Sequence, residues 1–298
     1  MKISNQAKGY LYAVISVIAV SNVYIFSKAA LREISLPQFG AYWFLFGLLW
    51  ILLFAWYRKS FTVFKTLKPK SILILVFLGV FEVVGTYFFF KAIHTITNPT
   101  IVSFIGNIGP VIVISLSILI LKDRFNTLEL IGMFLTITGA FVISYKGNTN
   151  LENLFINGSQ YILYSALFGA TNAIIIKRNI KSISPIILTV NRTLFLFLFS
   201  LIALQVSNNS VHISVTAFKN IFIGSILGPF LTVIAGYLAL QYIPLSRKAI
   251  IGSTKGLFVL LGSYLYFGQF PKTITLIGGL VTIIGLILIS VGKMKLKK

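Results

Sequence analysis

Ten apolar stretches, each near the length needed to cross a bilayer, follow one another along the 298-residue chain. A helix spanning the roughly 30 Å hydrocarbon core takes about 20 mostly apolar residues. Cut at charge clusters, prolines and Asn/Gly-rich breaks, the stretches run 9–30, 38–57, 71–93, 97–121, 127–145, 158–177, 185–206, 217–242, 247–267 and 273–292. Lipid offers no hydrogen bonds, so each stretch must satisfy its own backbone and reads as a helix. Little chain remains for a separate soluble domain. Only 10% of residues are charged, against about 25% in soluble domains. The first stretch is longer than the roughly 7 to 15 apolar residues of a secretory signal, and more membrane follows it, so it reads as a retained span.

The charges that do occur are lopsided: 26 basic residues against five acids, Glu33, Glu82, Asp123, Glu129 and Glu152, for a net +21. With the N-terminus in the cytoplasm, Arg32, Lys91, Lys146, Lys219 and Lys272 fall outside, Lys28, Arg192 and Lys255 fall within spans, and the other 18 basic residues fall inside. That bias predicts both termini in the cytoplasm and accounts for the charge by attraction to an anionic leaflet. No basic stripe is interleaved with aromatics, so the expected partners are a lipid bilayer and no nucleic acid.

The absence of cysteine excludes disulfides and thiolate-ligated metals. His94 and His212 form no HExxH, no aspartate lies within a span, and neither a GxSxG nor a Walker motif occurs. The reading is of a non-enzyme without cofactor, driven by an ion gradient, exchange or a downhill solute gradient.

The two halves repeat one another. Ala92-Ile-His-Thr-Ile answers Ala239-Leu-Gln-Tyr-Ile, and Leu130-Ile-Gly132 with Gly139 answers Leu276-Ile-Gly278 with Gly285. An odd number of spans per half makes the second half enter from the opposite side, and inverted repeats of this kind rock about a midplane site in transporters. The expected fold class is therefore an all-α integral membrane protein of ten transmembrane helices in two inverted five-helix repeats. The repeats are 1–146 and 158–298, joined by an extracytoplasmic linker at 147–157.

On these features the chain resembles the drug/metabolite transporter superfamily, specifically its EamA-type ten-helix members. The likeness is carried by Ser21-Asn22-Val-Tyr-Ile-Phe-Ser-Lys28, by the block with Lys91-Ala92, Pro110, Asp123 and Gly132, and by the block from Ala239 through Gly256 and Gln269 to Gly278. Where the family usually has Glu after the fourth and ninth spans, this chain has Asp123 and Gln269, and its second-half Glu-Pro pair is Lys255-Gly256. The resemblance implies secondary-active transport of small metabolites by alternating access in a bacterial cytoplasmic membrane, commonly as export. It also implies a cavity walled mainly by the first, third, fourth, sixth, eighth and ninth helices.

Ionisable groups near the bilayer centre are costly and mark candidate sites. Glu82 lies about 16 Å into the third span and Lys255 about 12 Å into the ninth, at 1.5 Å per residue. Glu82 is the candidate for proton coupling, or a counter-ion to a buried lysine. Lys255 shares a face with Lys248, Gly252 and Gly262 and reads as lining a cavity. Arg192 has a stem long enough to reach the surface, and Lys28 lies near a helix end where snorkelling is easy. Asn22, Asn107 and Asn172 are polar positions for substrate or for helix-to-helix hydrogen bonds. Gly106, Gly109, Pro110 and Pro229 are kinks or hinges. Cations outnumber Glu82 within the spans, which favours an anionic or zwitterionic solute such as an amino or organic acid. The protein is expected as a monomer or homodimer. The alternative is a non-transporting scaffold or regulator that uses Gly224xxxGly228 and Gly252xxxGly256 only for helix association.

Overall fold

The computed structural model describes residues 4–59, 67, 69–121, 126–145 and 155–295. Asp123, Lys146, Glu152 and positions 147–154 of the expected linker lie outside the described residues. Among those described, ten helical passes follow the order read from the sequence, three of them interrupted. The first repeat comprises α1 (Asn5–Leu31), α2 (Leu36–Tyr57), α3 (Pro69–Thr95), a fourth pass broken into α4 (Pro99–Ile105) and α5 (Ile108–Leu121), and α6 (Thr127–Ser144). The second comprises α7 (Ser159–Asn179), α8 (Pro185–Val206), and an eighth pass of α9 (Val215–Ser225), a π-helical turn (Ile226–Thr232) and α10 (Val233–Tyr242). It continues with a ninth pass broken into α11 (Leu245–Ser253) and α12 (Lys255–Phe267), and ends in α13 (Thr273–Lys295).

Short polar links start these helices by capping. The side chains of Ser35, Ser184 and Ser214 each accept from a backbone N–H one turn into α2, α8 and α9. Asn126 and Glu129 form a reciprocal capping box on α6, with Glu129 buried. Such caps satisfy donors that lipid leaves bare. Pro229 has no N–H to give, and the surrounding turn relaxes to π geometry, with the Thr232 hydroxyl donating to the Leu227 carbonyl at 2.7 Å.

Packing demonstrates the inversion. Exchanging the halves maps α2 against α8 and α6 against α13 onto themselves, and maps α3 against α7 onto α10 against α1. On α6 and α13 the repeated glycines face each other. A Cβ on Gly139 would stand 2.6 Å from the Gly278 carbonyl oxygen, and one on Gly278 2.9 Å from that of Gly139. Gly132 and Gly285 meet in the same way. Because the lower-numbered glycine of one helix meets the higher-numbered glycine of the other, these equivalent helices run antiparallel. The surface is inside-out for water: Leu73, Phe134 and Leu265 are 71%, 69% and 73% exposed, as side chains that face acyl chains are.

The other expected glycine pairs do not bring backbones together. Gly224 and Gly228 receive the indole of Trp43, Gly256 receives the ring of Phe104, and nothing lies within 4 Å of a Cβ placed on Gly252. A ring fills the first three, and the last borders open space.

Candidate functional site

The open space beside Gly252 is a cavity of about 390 Å³ between the two repeats. Its wall comes from α1, α3 and the broken fourth pass on one side, and from α7, the π turn and the broken ninth pass on the other. Small residues create it. Gly106, Gly109, Gly169 and Gly252 all line it, and a Cβ on Gly169, as on Gly252, would meet nothing within 4 Å. Aliphatic residues such as Val17, Val20 and Val113 and the ring of Phe89 cover much of the rest, with Tyr24 and Ser165 among the polar groups. The rings of Tyr24 and Phe89 meet edge to face at 5.1 Å.

Two cations enter this wall, Lys248 from α11 and Lys255 from the first residue of α12. The Lys255 ammonium donates to Asn107 Oδ1 at 3.2 Å, and the other end of that amide donates to Thr282 Oγ1 at 3.1 Å. Asn107 sits in the break between α4 and α5, and Lys255 follows the break between α11 and α12 at Thr254. The alignment of the halves pairs these two breaks, and they touch through this hydrogen bond. Interrupted helices meeting at a repeat interface are the usual construction of a midplane binding site. The Lys248 ammonium makes no hydrogen bond among the described residues, and its Nζ would lie 3.0 Å from a Cβ on Gly236.

Glu82 is elsewhere. Its carboxylate accepts from the Arg192 guanidinium, from Asn172 Nδ2 at 2.6 Å and from Thr86 Oγ1 at 3.5 Å. Arg192 Nη2 also donates to Thr86 Oγ1 at 3.2 Å. This cluster ties α3 to α7 and α8. The space left among Glu82, Asn172, Arg192 and Tyr237 is about 10 Å³, room for at most one water. The partner of Glu82 is thus an arginine and not the buried lysine the sequence suggests, and the Arg192 stem turns to that carboxylate instead of reaching for the surface.

Lys28 does not snorkel. It is buried, and its ammonium donates to the carbonyls of Ile93, His94 and Ile96 at 2.8, 3.0 and 2.8 Å, capping the end of α3. The other repeat does the same: Lys177, in the last turn of α7, donates to the carbonyls of Leu240 and Ile243 at 2.6 and 3.0 Å, capping α10. Ile93 and Ile96 are the alignment equivalents of Leu240 and Ile243, so one lysine staple is built twice, each joining the first helix of a repeat to its third. Asn22 donates to the Ile18 carbonyl of its own helix at 2.9 Å and does not line the cavity.

The seven candidate residues therefore fall into separate groups. Lys255, with Asn107 behind it, belongs to the large cavity. Glu82, Arg192 and Asn172 close on one another, Lys28 caps a helix, and Asn22 bonds within α1. Sequence reasoning left Lys248 among the loop charges. The signal for the cavity was already in the face it shares with Lys255, seven residues on, but its charge was counted with the cytoplasmic loops.

The sequence profile of the EamA-like transporter family matches residues 7–145 and 156–291. A protein of Synechocystis sp. called "Uncharacterized transporter sll1164" is 24% identical over 216 residues, which is 68% of this chain. The chain spans about 60% of the length of that curated relative. A solved crystal structure of a protein is similar over 100% of both chains, with a TM-score of 0.73 at 12% identity, a likeness of fold.

Proposed function

This chain belongs to the EamA-like transporter family, and we propose that it is a secondary-active carrier of small metabolites such as amino or organic acids, working by alternating access. It is a multi-pass membrane transporter and not an enzyme. The proposal adds the mechanism, the substrate class and the setting: a bacterial cytoplasmic membrane, with both termini in the cytoplasm and export as the direction. The bias of 18 basic residues to one side of the membrane supports the orientation.

One observation carries the reading. A cavity of about 390 Å³ lies between two inverted repeats and is bordered by both of their broken helices. Rocking one repeat against the other would open such a space to each side in turn. Lys248 and Lys255 give it an attraction for acidic groups, and the aliphatic wall gives a carbon skeleton somewhere to rest. The Glu82 cluster and the two lysine staples hold helices together around it. Glu82 keeps a part in proton coupling only if its bonds to Arg192 and Asn172 open during the cycle.

Counterflow in proteoliposomes tests the reading. Purified protein should exchange labelled for unlabelled acid across the bilayer, and Gly169→Leu, whose Cβ enters open space, should reduce exchange to the protein-free level while the protein remains monodisperse. Exchange at the parental rate in Gly169→Leu would mean that solute does not pass through this cavity.

A further inference from the structure

We infer that the cavity is built for a small dianion with an acidic group at each end, a short dicarboxylate being the simplest example, and that it rejects zwitterions. The inference rests on the carrier reading above and narrows its substrate class.

Lys248 and Lys255 both line the cavity, seven residues apart in sequence and on different helical segments. The break at Thr254 lets the two stems project from different helical segments toward one space. Neither lysine has a carboxylate hydrogen-bonded to its ammonium among the described residues: that of Lys255 has the neutral Asn107 amide at 3.2 Å, and that of Lys248 has no hydrogen bond.

The described carboxylates are all engaged elsewhere. Glu82 is held by Arg192 and Asn172, Glu129 caps α6, and Glu33 accepts from Ser214. The oxygens of Glu82 are turned to Arg192, and Glu82 does not line the cavity.

A solute with one acidic group would satisfy one lysine and leave the other as an uncompensated cation in a mostly apolar cavity. A neutral amino acid would do worse, because its ammonium would enter beside a lysine with no carboxylate in the wall to receive it. A dianion satisfies both lysines at once. The valines and Phe89 of the wall suit its carbon chain, and the hydroxyls of Tyr24 and Ser165 can donate to remaining carboxylate lone pairs.

The test is counterflow with the full chain in proteoliposomes, using labelled succinate and glutarate as dianions with an acidic group at each end, butyrate as a monoanion and alanine as a zwitterion. At least one dianion should exchange, and excess butyrate or alanine should compete about tenfold less well than the unlabelled dianion, the size expected from losing one charge-assisted hydrogen bond. Lys248→Met and Lys255→Met should each lower dianion exchange by about tenfold or more and bring butyrate up to parity with the dianion. Lys255→Arg, which keeps the charge, should retain most of the exchange and guards against a folding defect in the methionine variant. Exchange of alanine or butyrate but of no dianion would overturn the substrate class while leaving the carrier reading intact. Dianion exchange unchanged in both methionine variants would overturn it as well. No exchange of any solute, in parent and Gly169→Leu alike, would instead remove the carrier reading on which it rests.

Discussion

Replacing Glu82 by Gln keeps the shape of the side chain and removes its charge, which isolates what the ion pair contributes. The carboxylate accepts from the Arg192 guanidinium, from Asn172 at 2.6 Å and from Thr86 at 3.5 Å. Both members of the pair have side chains 18% exposed, so solvent can replace little of what is lost. Breaking a buried pair by removing one partner costs about 3–5 kcal/mol, because the other charge stays behind unpaired. With some exposure remaining, about 3 kcal/mol is the expected loss for Glu82→Gln, and a similar loss is expected for Arg192→Met. The double variant Glu82→Gln/Arg192→Met leaves no orphan charge and should lose less than the sum of the single changes, with a coupling of about 2–3 kcal/mol. Reversible unfolding in mixed micelles, followed by tryptophan fluorescence, measures all the corners of this cycle. Single losses that simply add in the double variant would refute the pairing. A Glu82→Gln protein as stable as the parent, but with its pH dependence of transport abolished, would assign the carboxylate to proton coupling instead.

The remaining predictions concern the supports and walls of the cavity. Lys28→Met and Lys177→Met each strand buried helix-end carbonyls that now accept from an ammonium, so each should destabilise by about 2–4 kcal/mol. The two staples share no partner, so in the same unfolding assay the double variant should show the sum. Gly139→Ala drives a methyl into the Gly278 backbone and should cost about 1–3 kcal/mol. Gly169→Ala, facing open space, should be neutral or more stable by up to about 1 kcal/mol, the helix-propensity difference.

Much of the architecture was legible because membrane insertion writes it in length and charge. Span count followed from apolar runs, and the repeat followed from the matching glycines that prove to interlock α6 with α13. The interruptions were legible only as candidates: Gly106, Gly109 and Pro110 pointed to the fourth pass, but nothing local to Thr254 announced that the ninth pass breaks there.

The site was harder to read for a physical reason. Depth along a helix fixes a residue's height in the bilayer but not the direction it faces. Lipid and protein interior are both apolar, so apolar residues do not mark the inward face as they do in water. Glu82 and Lys255 were both recognised as deep, yet one turns to Arg192 and the other to the cavity. Lys248 shows the complementary failure. The charge bias that orients loops claimed it, although its ammonium belongs to the cavity wall.

The central claim is that one cavity between the repeats opens to both sides of the membrane in turn. The chain has no cysteine, so Gly169→Cys supplies a single thiol in the cavity wall at a position where a Cβ meets no neighbour. Labelling by a membrane-impermeant maleimide, applied to right-side-out and inside-out vesicles in separate experiments, asks which side reaches it. Alternating access predicts modification from both sides, slowed from both by a transported acid. Modification from one side only, whatever solute is present, would contradict it.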